Sequence, residues 1–109
     1  IGKGVIILPK CVIDMEVVID DNVFIYSGTV LGHNTHIGAQ SMISLSVTTG
    51  GFSTIGKSCF LGIGACVCDK TIIANHTFLG AGTNVIKDIT EGNGVYVGNP
   101  ARYLRENKS

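Results

Sequence analysis

Val30–Ser44 reads VLGHNTHIGAQSMIS. Within it Leu31, Ile37 and Ile43 recur at a spacing of six. Each is followed at once by a small residue (Gly32, Gly38 or Ser44) and four positions later by Thr35, Ser41 or Val47. Extending the step both ways gives Ile1, Ile7, Ile13, Ile19, Ile25, Leu31, Ile37, Ile43, Thr49, Ile55, Leu61, Val67, Ile73, Leu79 and Val85. Fourteen of these fifteen positions are aliphatic, Thr49 being the exception. Gly, Ser, Asp or Ala dominates the second position of each unit, small or β-branched residues dominate the fifth, and the register holds from residue 1 to residue 90.

A period of six matches neither the 3.6-residue turn of an α-helix nor a heptad, and it is too regular for independent hairpins. It fits short strands separated by turns. Three hexapeptides then close a triangular coil whose aliphatic side chains point inward, with Gly, Asn or Asp at the tight corners. Coils stacked at about 4.8 Å pair their strands in parallel and bury the aliphatics as ladders. Fifteen hexapeptides predict five coils.

The unit, an aliphatic residue, then Gly, Ala, Glu or Asp, two free positions, Ser, Thr, Ala or Val, and a last free position, resembles that of the hexapeptide-repeat proteins. The resemblance covers residues 1–90 and implies an all-β fold, a left-handed parallel β-helix. The hand is carried by the resemblance alone, since ordinary parallel crossovers are right-handed. It also implies a homotrimer whose neighbouring prisms cover one another's flat faces. Beyond Val85 the pattern dissolves into KDITEGNGVYVGNPARYLRENKS. Its segment Tyr96–Arg102, YVGNPAR, resembles the closing motif of sugar acetyltransferases in the same superfamily, and residues 91–109 are expected to cap the last coil.

Composition narrows the function. Eight basic and eight acidic residues cancel, so no net field favours nucleic acid or an acidic membrane. Hydrophobic residues make up 45% of the chain and mean hydropathy is +0.39, yet no apolar run approaches the ~20 residues that span a bilayer. Cys11, Cys59, Cys66 and Cys68 match no zinc module, and no signal peptide is visible. A reduced, cytoplasmic protein with no metal site is expected. The chain starts inside the repeat at Ile1, as an excised fragment or a minimal member would.

Histidine, with a side chain that titrates near neutrality, is the natural general base. The chain has His33, His36 and His76, none at an inward position. His36 and His76 read as solvated turn residues. His33 differs, because LGHNTHIG resembles the signature of hexapeptide acetyltransferases acting on sialic acid or amino-sugar nucleotides, where that histidine is the catalytic base. Gly51 lies one coil, eighteen residues, further on. In the family a glycine there offers its N–H to the thioester carbonyl.

The resemblance implies direct transfer from acetyl-CoA to an amine or hydroxyl of a small acceptor, a sugar or sugar nucleotide. His33 takes the acceptor's proton and Gly51 stabilises the oxyanion, which is worth about 3 kcal/mol for one such donor. The same alignment sets Ile63 and Ala81 against the pantetheine and makes Lys87 and Arg102 candidates for the CoA phosphates. Asn34 stands where relatives often carry an acid that orients the histidine, so Asp14, Asp20 or Asp21 is a candidate to supply that carboxylate. The N-terminal α/β domain usual in such enzymes has no counterpart in this sequence.

Two rival readings follow from the same fold. Zinc enzymes related to γ-carbonic anhydrase need ligands converging to about 2 Å from one ion. Here His33 and His76 stand more than two coils apart, roughly 11 Å along the axis. A non-catalytic scaffold or trimerisation module shares the repeat, and is distinguished only by GHN, GIGA and GNPAR occurring together.

Overall fold

The computed structural model describes residues 1–108. It contains β1 (Ile6–Ile7), β2 (Val12–Ile13), β3 (Val18–Ile19), β4 (Phe24–Ile25), β5 (Val30–Leu31), β6 (His36–Ile37), β7 (Met42–Ile43), β8 (Thr48–Thr49), β9 (Thr54–Ile55), β10 (Phe60–Leu61), β11 (Cys66–Val67), β12 (Ile72–Ile73), β13 (Phe78–Leu79), β14 (Asn84–Val85), β15 (Gly94–Val97) and β16 (Arg102–Glu106). They form three sheets, ordered β1-β4-β7-β10-β13-β15-β16, β14-β11-β8-β5-β2 and β12-β9-β6-β3, the three faces of a prism. Rungs pair in parallel at the eighteen-residue step set by the sequence, as in Ile7↔Ile25, Leu31↔Thr49 and Ile37↔Ile55.

Each two-residue strand turns its first residue outward and its second inward. The inward ladder of Ile19, Ile25, Leu31, Ile37, Ile43, Ile55, Leu61, Ile73 and Leu79 is at most 1% exposed. Burying one such side chain contributes about 1.5–3 kcal/mol. The fifth positions also point inward and their hydroxyls are satisfied locally: Thr29 donates to Ser44 C=O at 2.9 Å and Ser41 to Gly56 C=O at 2.8 Å. Among the described residues no buried side-chain polar atom lacks a partner.

The corners differ from the sequence expectation in one respect. Left-handed φ falls on the fourth position of the unit, at Asn34 (59°), Phe52 (61°) and Lys70 (58°) among others, whereas the glycine-rich second position keeps ordinary φ. The left-handed residue aims its N–H at the preceding coil, as in Asn34 N–H to Met15 C=O at 3.1 Å and Phe52 N–H to His33 C=O at 2.9 Å. That bond offsets a conformational cost of roughly 1–2 kcal/mol for a non-glycine residue. Glycine at the second position serves stacking. A Cβ on Gly32 would lie 2.7 Å from Thr49 C=O, and one on Gly38 2.5 Å from the Gly56 carbonyl carbon.

The solenoid also outlasts its repeat. Ile89 bridges to Ile73, and β15 lies in parallel on β13 as one more rung through Leu79↔Tyr96. β16 then returns antiparallel over β15, reached through the cis Asn99–Pro100 bond. Apolar residues stand outward on all three faces, with Ile6 at 49%, Val12 at 55% and Ile72 at 49% exposure.

Candidate functional site

His33 sits at the corner between β5 and β6, third in its unit, with its side chain exposed. The residues stacked on this corner at eighteen-residue steps are Met15, His33, Gly51, Asp69 and Lys87. Of these only Gly51 lacks a side chain, and the imidazole of His33 occupies the space so left. A Cβ on Gly51 would fall 2.6 Å from both Nε2 and Cε1 of the ring and 3.1 Å from Nδ1. The ring is further held by Asn34, whose Oδ1 is 3.2 Å from Nδ1, and by Phe52, which meets it edge-on at 5.2 Å between centroids. In a neutral ring, an Nδ1–H donated to Asn34 Oδ1 leaves the Nε2 lone pair beside Gly51. Gly51 C=O accepts from Lys70 N–H at 2.8 Å, while Gly51 N–H donates to no protein group among the described residues. An imidazole and an unused backbone donor thus share one surface.

Buried hydroxyls tie the two turns together. Thr49, the break in the aliphatic ladder, is 2% exposed. Its Oγ1 lies 3.0 Å from Thr35 Oγ1 and accepts from Gly32 N–H at 3.3 Å, and Thr35 Oγ1 also donates to Gly50 C=O at 3.3 Å.

None of the three acids considered for orienting His33 does so. Asp20 holds His36 through Oδ2···Nε2 at 2.8 Å, Asp21 accepts from Lys3 N–H and Asp14 from Met15 N–H. His36 is an outward strand residue on β6, contrary to the turn expected of it, while His76 lies in a turn with Nδ1 2.6 Å from Asn93 Oδ1. The three histidines occupy one corner, one face and a second corner. Among the described residues no three His, Cys, Asp or Glu side chains gather as a metal would require. The cysteines are free thiols, and burial pushes the Cys59 thiol above its ordinary range.

Ile63 and Ala81 lie on the corner between the β10 and β11 rungs and between β13 and β14, one flat face away from His33. Both are exposed, and their N–H groups have no acceptor among the described residues. The following Gly64 and Gly82, at φ 72° and 70°, have open space where a Cβ would stand, so the main chain there is bare. Lys87 lies on the His33 corner three coils on, about 14 Å along the axis. Lys87 and Arg102 line one cavity of about 400 Å³, floored by Val85, Ile89, Tyr96 and Ala101. Phe52 and the Thr35–Thr49 pair were missed from the sequence. The signal for both was present, since each lies within two residues of one rung from His33.

A single-chain prism with this repeat is matched along its whole length by a hexapeptide-repeat-containing acetyltransferase, VCA0836, of Vibrio cholerae. The TM-score is 0.92 at 18% identity, and the match covers 100% of this chain and 74% of that one. The chain shares the six-residue repeat and the fold of that protein. Its fold is the left-handed parallel β-helix. In sequence it is 35% identical over 83 residues to a UDP-3-O-acylglucosamine N-acyltransferase of Janthinobacterium sp., 76% of this chain and 23% of that protein. It is also 30% identical over 122 residues to the mitochondrial γ carbonic anhydrase 2 of Arabidopsis thaliana, 97% of this chain and 43% of that protein. The hexapeptide-repeat chain thus spans about a quarter of the first relative and under half of the second. No protein-family model matches it.

Proposed function

We propose that this chain carries the donor and base half of an acyltransferase that moves an acetyl group from acetyl-CoA to an amine or hydroxyl of a sugar or sugar nucleotide. The observation that carries the reading is the stacking of His33 on Gly51 with Nε2 and an unused N–H side by side. A nucleophile hydrogen-bonded to Nε2 attacks the thioester carbon, its proton passes to His33, and the carbonyl oxygen gathers charge against Gly51 N–H. Collapse of the tetrahedral intermediate expels the CoA thiolate. A neutral amide at Asn34 fixes the ring tautomer without adding the field of a carboxylate.

VCA0836 has been solved with acetyl coenzyme A, and the Janthinobacterium relative is named for acylation of a sugar nucleotide, which supports both substrate classes. The roughly 14 Å from His33 to Lys87 suits an extended pantetheine arm with its phosphates at Lys87 and Arg102. Ile63 and Ala81 stand on the far edge of the intervening face, out of reach of an arm lying along the His33 corner. In our reading they serve a groove between two copies of a homotrimer, in which the outward apolar residues are covered. We place this enzyme in the cytoplasm, in keeping with four free thiols.

Calorimetric titration with acetyl-CoA tests the donor half without any choice of acceptor. Saturable binding that survives His33→Ala, together with loss of thiol release in that variant, is the expected result. A well-folded protein that binds no acetyl-CoA would return the chain to the scaffold reading.

A further inference from the structure

Thr49 is the one inward ladder position occupied by a polar residue, flanked in register by Leu31 and Val67. A hydroxyl in an aliphatic stack is unfavourable unless bonded, and an aliphatic of the same shape would fill the rung at least as well. The exception falls on the rung that feeds Gly51 and directly beside the rung that feeds His33.

The bonds show what the hydroxyl does there. Gly32, the residue before His33, already donates to Thr49 C=O at 2.9 Å, and its N–H also reaches Thr49 Oγ1 at 3.3 Å. Thr35, the residue after Asn34, meets Thr49 Oγ1 at 3.0 Å and bonds Gly50 C=O at 3.3 Å. Both ends of the turn that bears His33 are therefore tied to the two residues that precede Gly51. Elsewhere among the described residues of the repeat the buried hydroxyls bond backbone groups alone, as Thr77 does to Ala74 C=O at 2.8 Å and Ser41 does from Cys59 N–H at 3.0 Å, and no other pair of hydroxyls meets.

We infer that Thr49, with Thr35, is a positioning residue that locks the His33 turn onto the Gly51 turn. This rests on the proposed roles of His33 and Gly51. Among the described residues the imidazole has little else to hold it, being exposed and bound only to its own neighbour Asn34 and the edge of Phe52. Its distance to the bare α-carbon of Gly51 is then set by how the two turns stack. A stack held by backbone bonds alone tolerates small slides that a direct transfer, with reacting atoms within about 3–3.5 Å, does not.

Thr49→Val is the decisive variant, because it deletes the hydroxyl and keeps the shape. The expected result is a thermal midpoint equal to or above that of the parent with kcat lowered about tenfold, the acetyl-CoA KM within twofold, and shifted His33 and Phe52 ring resonances. Thr49→Ser restores kcat to within threefold. Thr77→Val, which removes a buried hydroxyl at a different corner, lowers stability and leaves those resonances in place. Unchanged His33 resonances in Thr49→Val overturn the inference whatever the kinetics, and so does a loss of activity and stability equal to that of Thr77→Val. Should His33→Ala retain full transfer, the catalytic reading falls, yet the ring resonances still decide whether Thr49 positions this turn.

Discussion

Gly51→Ala isolates the contact on which the proposed chemistry depends. Gly51 does not use left-handed φ, so alanine can adopt its backbone and the oxyanion donor is retained. What changes is the space above it. The new methyl would lie 2.6 Å from Nε2 and Cε1 of His33, where ordinary contact begins at 3.4 Å, so the ring must retreat by about 0.8 Å or rotate away. Either motion strains the 3.2 Å bond to Asn34 and the edge contact with Phe52. Displacement of a catalytic group by about 1 Å can lower the rate about a hundredfold, or ~2.7 kcal/mol in transition-state stabilisation. Stability should change by less than about 0.5 kcal/mol, because the exposed ring has solvent to move into. The assay is thiol release from acetyl-CoA with amino-sugar nucleotides as acceptors, beside a thermal melt. Adding Gly51→Ala to His33→Ala should cost nothing further, since the methyl acts only through the ring. A single variant within threefold of the parent, or a double variant much worse than His33→Ala, would refute this account.

Other perturbations probe the remaining parts. Leu61→Ala empties a fully buried rung and should lose about 2–5 kcal/mol in chemical denaturation, unlike any corner substitution. Lys87→Ala and Arg102→Ala should each weaken acetyl-CoA by about fivefold, roughly 1 kcal/mol for an exposed charge contact, and leave acetyl-pantetheine unaffected. Equal losses for both donors would remove these cations from the phosphate site. Cys59 supplies a pH signature: burial raises its folded-state pKa above the ordinary 9.0, so the unfolded thiol ionises first and stability falls as pH climbs past about 9. Melts across pH 8 to 10 should show that slope, flattened in Cys59→Ala.

The sequence carried the fold because every inward residue repeats at one spacing. A one-residue slip would have exposed Ile25, Leu31 and Ile37 together, so the register is strongly specified. The corners were only partly legible. Which position of the unit takes left-handed φ depends on where the N–H must point, and several residues that do so, Phe52 and Lys70 among them, have no marked preference for that region. The end of the repeat was misjudged for a related reason: Tyr96 continues the ladder of Leu79 after a gap of seventeen residues instead of eighteen, so the period is lost while the rung survives. At the site, His33 and Gly51 stand at free positions of the unit and were singled out by the likeness of LGHNTHIG and the segment one coil on to the acetyltransferase signature. The partners of His36 were hidden, since Asp20 and His36 meet across a coil and a linear reading cannot rank Asp20 above Asp14 or Asp21.

A repeat fold places strict conditions on a site built from one stack. Side chains at one corner repeat every eighteen residues, so a ring lying along the axis collides with whatever follows unless the next residue is absent in effect. Met15, Asp69 and Lys87 would each fill that space; Gly51 does not. Its N–H, like those of Ile63 and Ala81 at the equivalent positions, meets no acceptor among the described residues, because Phe52 and Lys70, at the fourth positions, take up the coil-to-coil bonds of this corner. Removing one side chain therefore seats the imidazole beside an N–H that the third position of the unit already leaves unbonded. In the proposed chemistry base and donor therefore stand one coil apart, and the polar exception at Thr49 falls on the rung that joins them.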